Sequence, residues 1–266
     1  MKNRIHQLFE RKDSDILSVF FTAGYPELED TVPIIEELAA AGVDLIEIGM
    51  PFSDPIADGS TIQHSNQIAL QNGISIAKLF AQLEGIREKM DIPLILMGYL
   101  NPVLQYGMEA FLAKAAEIGI DGLILPDLPR YEFETFYQDS FARHHLSNVF
   151  LVTPQTSASR IRQIDELSDG FIYVVSTDST TGKTQGFGPA QTAYFSRLQA
   201  MQLKNPLLVG FGISNHETYT AACQHASGAI IGSAFIKALG EEGSISERIS
   251  RFVAKIKEPQ NEKINR

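Results

Sequence analysis

A chain of 266 residues is long enough for one large α/β domain, and 44% hydrophobic with 20% charged residues supplies a core without a compositional bias toward disorder. The formal net charge of −10 is spread along the chain, so there is no basic stripe for nucleic acid or anionic lipid, and an anionic ligand must be held locally. The single cysteine, Cys223, excludes an internal disulfide. The N-terminal segment lacks the apolar core of a signal peptide, and no apolar run approaches the roughly 20 residues that span a bilayer; a soluble, cytoplasmic protein is expected.

Past an extra helix predicted at the N-terminus, apolar runs alternate with amphipathic stretches. ILSVFFT (16–22) is followed by the helical pattern LEDTVPIIEELAAAG, and VDLIEIG (43–49) by a loop of Gly, Pro, Ser and Asp and then SIAKLFAQLEGIREKM. IPLILMG (92–98) precedes MEAFLAKAAEIG, DGLILP (121–126) precedes YEFETFYQDSFARHH, and NVFLVT (148–153) precedes ASRIRQIDELSD. FIYVVS (171–176) leads through a long polar loop to AQTAYFSRLQAMQL, PLLVGFG (206–212) to SNHETYTAACQHA, and GAIIGSA (228–234) to SISERISRFVAKIK. Val-, Ile- and Leu-rich strands separated by helices indicate parallel strands with crossover connections. Eight such units fit a (β/α)8 TIM barrel better than an open doubly wound sheet. No linker interrupts the series, so residues 1–258 are predicted to form one catalytic domain, followed by the polar tail 259–266.

Chemistry in such a barrel belongs on the loops leaving the carboxyl ends of the strands. Glu47 stands between Ile46 and Ile48 in a strand, where a carboxylate must be neutralised, paired or used. Asp58 follows eleven positions later, placed to face the same cavity, although an acid before STIQ also suits a turn or a helix cap. The glycine-rich loops GFGIS (210–214) and IGSAF (231–235) follow strands seven and eight, where barrels bind phosphate, and TTG (180–182) is a third contributor from a lid-like loop. Metal ligation is disfavoured because the six histidines do not cluster at strand ends. No strand run holds a lysine for Schiff-base chemistry, Lys183 lying in the polar loop, and neither a Rossmann fingerprint nor a P-loop is present. Acid and base catalysis by carboxylates remains.

EIGMPFSDPIADGSTIQ, with GYLNPV (98–103), LPDLP (125–129), YVVS followed by TTG, GFGIS and IGSA, resembles the tryptophan synthase alpha chain family over nearly the full length. The resemblance implies a (β/α)8 barrel that cleaves indole-3-glycerol phosphate to indole and glyceraldehyde 3-phosphate. It implies that Glu47 shuttles a proton between the substrate hydroxyl and indole C3, and that Asp58 stabilises the charge left on the ring. Phe20, Tyr99 and Tyr173 match pocket positions. Gly182, Gly212, Gly232 and Ser233 match backbone phosphate contacts, and Thr181 matches a lid threonine that helps orient Asp58. Pro51 and Asp54 match positions facing a partner, and Asp127 one used in signalling to it; Met50, Phe52 and Ile56 are apolar residues that suit a contact there. That partner is the tryptophan synthase beta chain, in an α2β2 heterotetramer, with pyridoxal phosphate carried by the beta chain and no cofactor in this one. STDSTTGKT departs from the enteric bacterial pattern, in which arginine and valine precede the TG. Two alternatives stand beside this reading: a barrel handling another phosphosugar, disfavoured by the ADG segment, and a noncatalytic subunit, disfavoured by the presence of both acids.

Overall fold

The structure is a computed structural model that describes residues 3–56, 58–176 and 187–259. Every residue of β1 (Ile16–Thr22) and β2 (Leu45–Gly49) is buried, because one face packs on helices and the other on the barrel interior. The remaining strands are β3 (Leu94–Met97), β4 (Gly122–Ile124), β5 (Ser147–Asn148), β6 (Leu151–Val152), β7 (Ile172–Val175), β8 (Leu207–Gly210) and β9 (Gly228–Ile231), all in one sheet of order β5-β4-β3-β2-β1-β9-β8-β7-β6. All pairings are parallel.

The two ends of that sheet are one run of chain. β5 pairs with β4 and β6 with β7, while between them the Val149 amide donates to Leu123 O at 3.0 Å and Phe150 O accepts from the Tyr173 amide at 2.9 Å. The barrel therefore closes on the fifth predicted strand, which is split in two because each half pairs with a different neighbour.

The helices are α1 (Arg4–Arg11), α2 (Thr31–Ala40), α3 (Ser60–Gln71), α4 (Ile76–Leu83), α5 (Leu100–Tyr106), α6 (Met108–Glu117), α7 (Arg130–Glu132), α8 (Gln138–Arg143), α9 (Ala158–Leu167), α10 (Pro189–Ala200), α11 (His216–Cys223), α12 (Ser233–Leu239) and α13 (Ile245–Lys257). Three are additions to the predicted pattern. α3 is too polar to show helical periodicity; it buries Ser65, whose hydroxyl meets that of Thr22 on β1 at 2.7 Å. α5 begins directly after β3, and α12 begins where the predicted eighth strand was drawn too long, since β9 stops at Ile231. The helix predicted from 75 ends early because Gly85 turns left-handed at φ 74°. The helix predicted over 131–145 is divided by a π-helical turn, Phe133–Tyr137. Apart from Pro259, the polar tail lies outside the described residues.

Alternation along the strands sorts the core into two layers. Leu17, Val19, Phe21, Ile46 and Ile48 point outward to the helices, whereas Ile16, Leu45, Ile95, Ile124, Leu208 and Ile230 fill the barrel with Ile5 and Leu8 of α1. The predicted extra N-terminal helix is thus the plug of the barrel. It is pinned by buried Asp121, which pairs with both Arg4 and Arg87 and accepts from the Leu94 amide. With the amino end sealed, an opening is left at the carboxyl ends of the strands.

Candidate active site

Inward parity places Ser18, Phe20 and Glu47 together. Phe20 lies opposite Glu47 in the β1–β2 register, and Ser18 is the next inward residue below Phe20. The Ser18 hydroxyl donates to Glu47 Oε1 at 2.7 Å, and both residues are 0% exposed. Glu47 Oε2 is buried with no hydrogen-bond partner among the described residues. Burial pushes the Glu47 carboxyl up to about 8, against the hydrogen bond from Ser18, which favours the ionised form.

Asp58 comes from the loop after β2, where its amide donates to Pro55 O at 3.0 Å. Gly59, not Asp58, is the N-cap of α3, so the Asp58 side chain is free for another task. Its Oδ2 accepts from the Tyr99 hydroxyl at 3.2 Å, and burial raises its pKa to about 6 against that bond. Tyr99 is itself held from two sides: its ring lies 5.1 Å from that of Phe52, and the amide of the following residue, Leu100, donates to Asp127 Oδ1 at 2.8 Å.

A cavity of about 790 Å³ opens at this end of the barrel. Asp58, Phe20, Met97, Tyr173 and Ile230 line one part of it. Gly212, Gly232 and Ser233 line another, beyond which stand Lys237, Arg248, Arg251 and Lys255. A protein of net charge −10 thus presents a basic wall beside exposed backbone amides, which suits an anionic group. Gly212 adopts φ 77°, a region open to glycine at no steric cost, while its neighbour Phe211 is held at φ 71° with its carbonyl accepting from Ser176 Oγ at 2.6 Å. Strain at a residue lining a cavity is a mark of a functional loop.

Tyr173 closes the floor. A Cβ on Gly210 would lie 2.2 Å from the Tyr173 hydroxyl oxygen, so this ring reaches its place only because residue 210 has no side chain. Burial, and then the charges of Glu47 and Asp58, raise the Tyr173 pKa well above normal. One phenol therefore senses both acids.

Of the residues expected from the sequence, Asp58, Phe20, Tyr173, Gly212, Gly232 and Ser233 line one cavity, and Tyr99 joins through Asp58. Glu47 does not line it and lies in the packed interior. Thr181 and Gly182, with Lys183, lie outside the described residues. Asp54 is exposed and Pro51 half-buried, as is Phe52. Met50 is only 5% exposed, because its amide continues the β2 ladder to Met97 O, so it is core and not a contact residue. Ile56 is 89% exposed. Ser18, Phe211 and the basic wall were not anticipated. Ser18 carried a signal, a hydroxyl at inward parity in an apolar strand, but the basic residues sit on helices that give no sign of facing a cavity. Among the described residues no group of three His, Cys, Asp or Glu is placed to hold a metal ion, and no helix is long and apolar enough to cross a membrane. A second cleft, of about 660 Å³ beside Asp127 and Arg130, contains neither acid.

The chain is similar to known proteins over nearly its full length. A family model described as "Tryptophan synthase alpha chain" matches residues 7–264. A protein of that name from Flavobacterium johnsoniae is 58% identical, with 96% of this chain and 100% of the relative covered. One from Flavobacterium psychrophilum is 57% identical, with 96% and 99% covered. Among solved structures, the tryptophan synthase alpha chain from Legionella pneumophila subsp. pneumophila has a TM-score of 0.85 at 32% identity, covering 97% of each chain. Mycobacterium tuberculosis tryptophan synthase gives 0.86 at 31% identity, covering 97% of this chain and 98% of that one.

Proposed function

Since this chain belongs to the tryptophan synthase alpha chain family, whose members are lyases cleaving indole-3-glycerol phosphate in tryptophan biosynthesis, we propose that Glu47 and Asp58 carry the cleavage. The bond that breaks joins indole C3 to a hydroxyl-bearing carbon. The carboxylate takes the hydroxyl proton and delivers it to C3, and the C3–C bond then breaks with its electrons restoring the aromatic ring as the former hydroxyl carbon becomes the aldehyde. The net event is transfer of one proton from oxygen to C3, and a single carboxylate can perform both halves.

Glu47 is assigned that transfer. A carboxyl titrating near 8 is basic enough to take the hydroxyl proton and acidic enough to release it near neutrality. Oε2, buried and without a hydrogen bond among the described residues, is the oxygen assigned to meet the substrate. Asp58, oriented by Tyr99, is assigned to the indole N–H, where its negative charge stabilises the cation formed by C3 protonation. Phe20, Tyr173, Met97 and Ile230 supply the apolar bed for the ring, Gly212, Gly232 and Ser233, with Gly182, take the phosphate, and Thr181 helps orient Asp58. The observation that carries the reading is the presence of two acids, both raised by burial, within and beneath one cavity that has an anion-suited rim.

Association with a beta chain is part of the proposal, as an α2β2 heterotetramer. No described strand carries a lysine, so the pyridoxal phosphate is assigned to that partner. Ile56, Leu104, Tyr131 and Phe136 are 89%, 44%, 64% and 60% exposed and follow three adjacent strands, β2, β3 and β4, which supports a partner face there that includes Pro51 and Asp54. Asp127 holds the amide next to Tyr99, which in turn holds Asp58, and this supports a route from that face to the second acid. The test is indole release from indole-3-glycerol phosphate with and without beta chain. Release without the partner, raised by adding it, is expected; no release in either case overturns the assignment.

A further inference from the structure

The proton-transfer reading says what Glu47 does but leaves open what holds it. A glutamate on a strand has several rotamers, and an unsupported one would spread its carboxylate over all of them. Among the described residues a single side-chain hydrogen bond reaches it. Ser18, on β1, sits one inward position toward the amino end from the residue opposite Glu47, and its hydroxyl donates to Oε1 at 2.7 Å. The remaining oxygen has no hydrogen-bond partner. Around this pair the inward-facing neighbours on β1, β2, β3 and β9 are apolar: Ile16 below, Leu45 beside, Ile95 across on β3 and Ile230 on β9.

We infer that Ser18 is a positioning residue for Glu47: its hydroxyl anchors one carboxylate oxygen, fixes the side chain against the β1 strand, and leaves the other oxygen for the substrate. The inference rests on the assignment of Glu47 as the proton carrier and adds the group that orients it. Two features favour a functional over a merely structural bond. A buried serine in a parallel strand can satisfy itself on backbone carbonyls, whereas this one is spent on a carboxylate whose second oxygen goes unsatisfied. A bond of this kind also strengthens when the carboxylate is charged, so Ser18 supports the form that accepts the hydroxyl proton. Among the described residues the titratable group facing Glu47 from another element is Tyr173 on β7, which senses both Glu47 and Asp58; no cation is set against Glu47.

The experiment measures indole release against pH for wild type and for Ser18→Ala, Ser18→Cys and Ser18→Thr, each with its thermal midpoint. Without the hydroxyl, the acidic limb of kcat is expected to move up by about 1 pH unit and turnover on that limb to fall about 10-fold, with KM little changed. The thiol, a weaker donor, should lie between alanine and serine, and threonine, which keeps the hydroxyl, should return the limb to the wild-type position. An alanine limb that coincides with wild type overturns the inference, as does a threonine limb displaced as far as the alanine one, which would mean that packing and not the donor matters. If Ser18→Ala does not fold, the order of the cysteine and threonine limbs decides by the same criterion. Glu47→Gln separates the two levels: an active glutamine variant removes Glu47 itself, whereas an inactive one alongside an unshifted Ser18→Ala removes Ser18 alone.

Discussion

At the scale of single residues, the site is a conflict between burial and charge. Among the described residues no cation is set against Glu47, and its pKa of about 8 against an ordinary 4.5 means that the folded chain prefers the neutral carboxyl. The raised value makes its contribution to stability complete below the unfolded pKa and lost as pH rises through the folded one. Between pH 4.5 and 8 the unfolded state ionises first and wild type is progressively weakened. Glu47→Gln, which cannot ionise, should therefore gain over wild type on the order of 2–5 kcal/mol by pH 9 and little at pH 4, as measured by thermal or urea unfolding at the two pH values. The same substitution should lower turnover by roughly 10²- to 10⁴-fold; near wild-type indole release would remove Glu47 from the chemistry. Asp58 also acts as an anion. With its pKa near 6, it should add a second drop in kcat/KM as pH falls through that value, below the limb set by Glu47, and Tyr99→Phe, which removes a bond favouring the ionised form, should move this second drop to higher pH. An unmoved profile in that variant would detach Tyr99 from Asp58.

Elements position these residues through close packing. β8 approaches β7 at a point where Gly210 makes room for Tyr173, whose hydroxyl oxygen and nearest ring carbons would overlap a Cβ there. Gly210→Ala must displace a tyrosine that is 5% exposed, so a loss of about 1–3 kcal/mol and a fall in kcat are expected together. Unfolding curves and indole release check the pair, and unchanged values for both would show that the ring moves freely. At the other end of the barrel, Leu8 of α1 is 1% exposed in the inner core. Leu8→Ala should cost about 2–5 kcal/mol with KM unaltered, because the plug supports the barrel from the side away from the ligand. A rise in KM would mean that the plug also shapes the cavity.

For the whole molecule, charge and exposed apolar surface are distributed unequally. The net charge is −10, yet the cavity wall beyond the glycines carries Lys237, Arg248, Arg251 and Lys255. Arg251 is paired with Glu241 at 3.1 Å, while Lys237 and Lys255 have no ion-pair partner among the described residues. Local attraction of a phosphate against global repulsion predicts that kcat/KM falls with ionic strength while kcat does not, and that Lys237→Gln with Lys255→Gln flattens the dependence. Stopped assays over a salt series measure it, and a salt-independent wild type would leave the wall without a role in capture. Apolar exposure lies elsewhere, on the segments that follow β2, β3 and β4. Ile56→Asp should leave indole release by the isolated chain intact and weaken activation by beta chain at least 10-fold in apparent affinity, since a charge in an apolar contact costs about 1.4 kcal/mol or more. Equal activation curves would place the partner on another face.

Much of this was legible along the chain, because the periodicity of buried strands and the oddity of a carboxylate inside one are local properties. Eight strand stations, the extra N-terminal helix and the presence of the two acids follow from short windows of residues, and the motif around Glu47 and Asp58 pointed to the family that the comparisons found, whereas the helix's place as the barrel's plug came from the tertiary structure. Three features depend on distance through space and were hidden. Met50 reads as loop until its amide is seen extending the β2 ladder. The fifth strand reads as one piece until its two halves are seen pairing with opposite neighbours to close the barrel. Ser18, 29 positions from Glu47, becomes its hydrogen-bond partner only once strand register and inward parity bring the two side chains together. Burial pattern is written into the order of side chains, whereas the identity of each neighbour is decided when the sheet curls shut, since closure alone sets which inward groups share the interior.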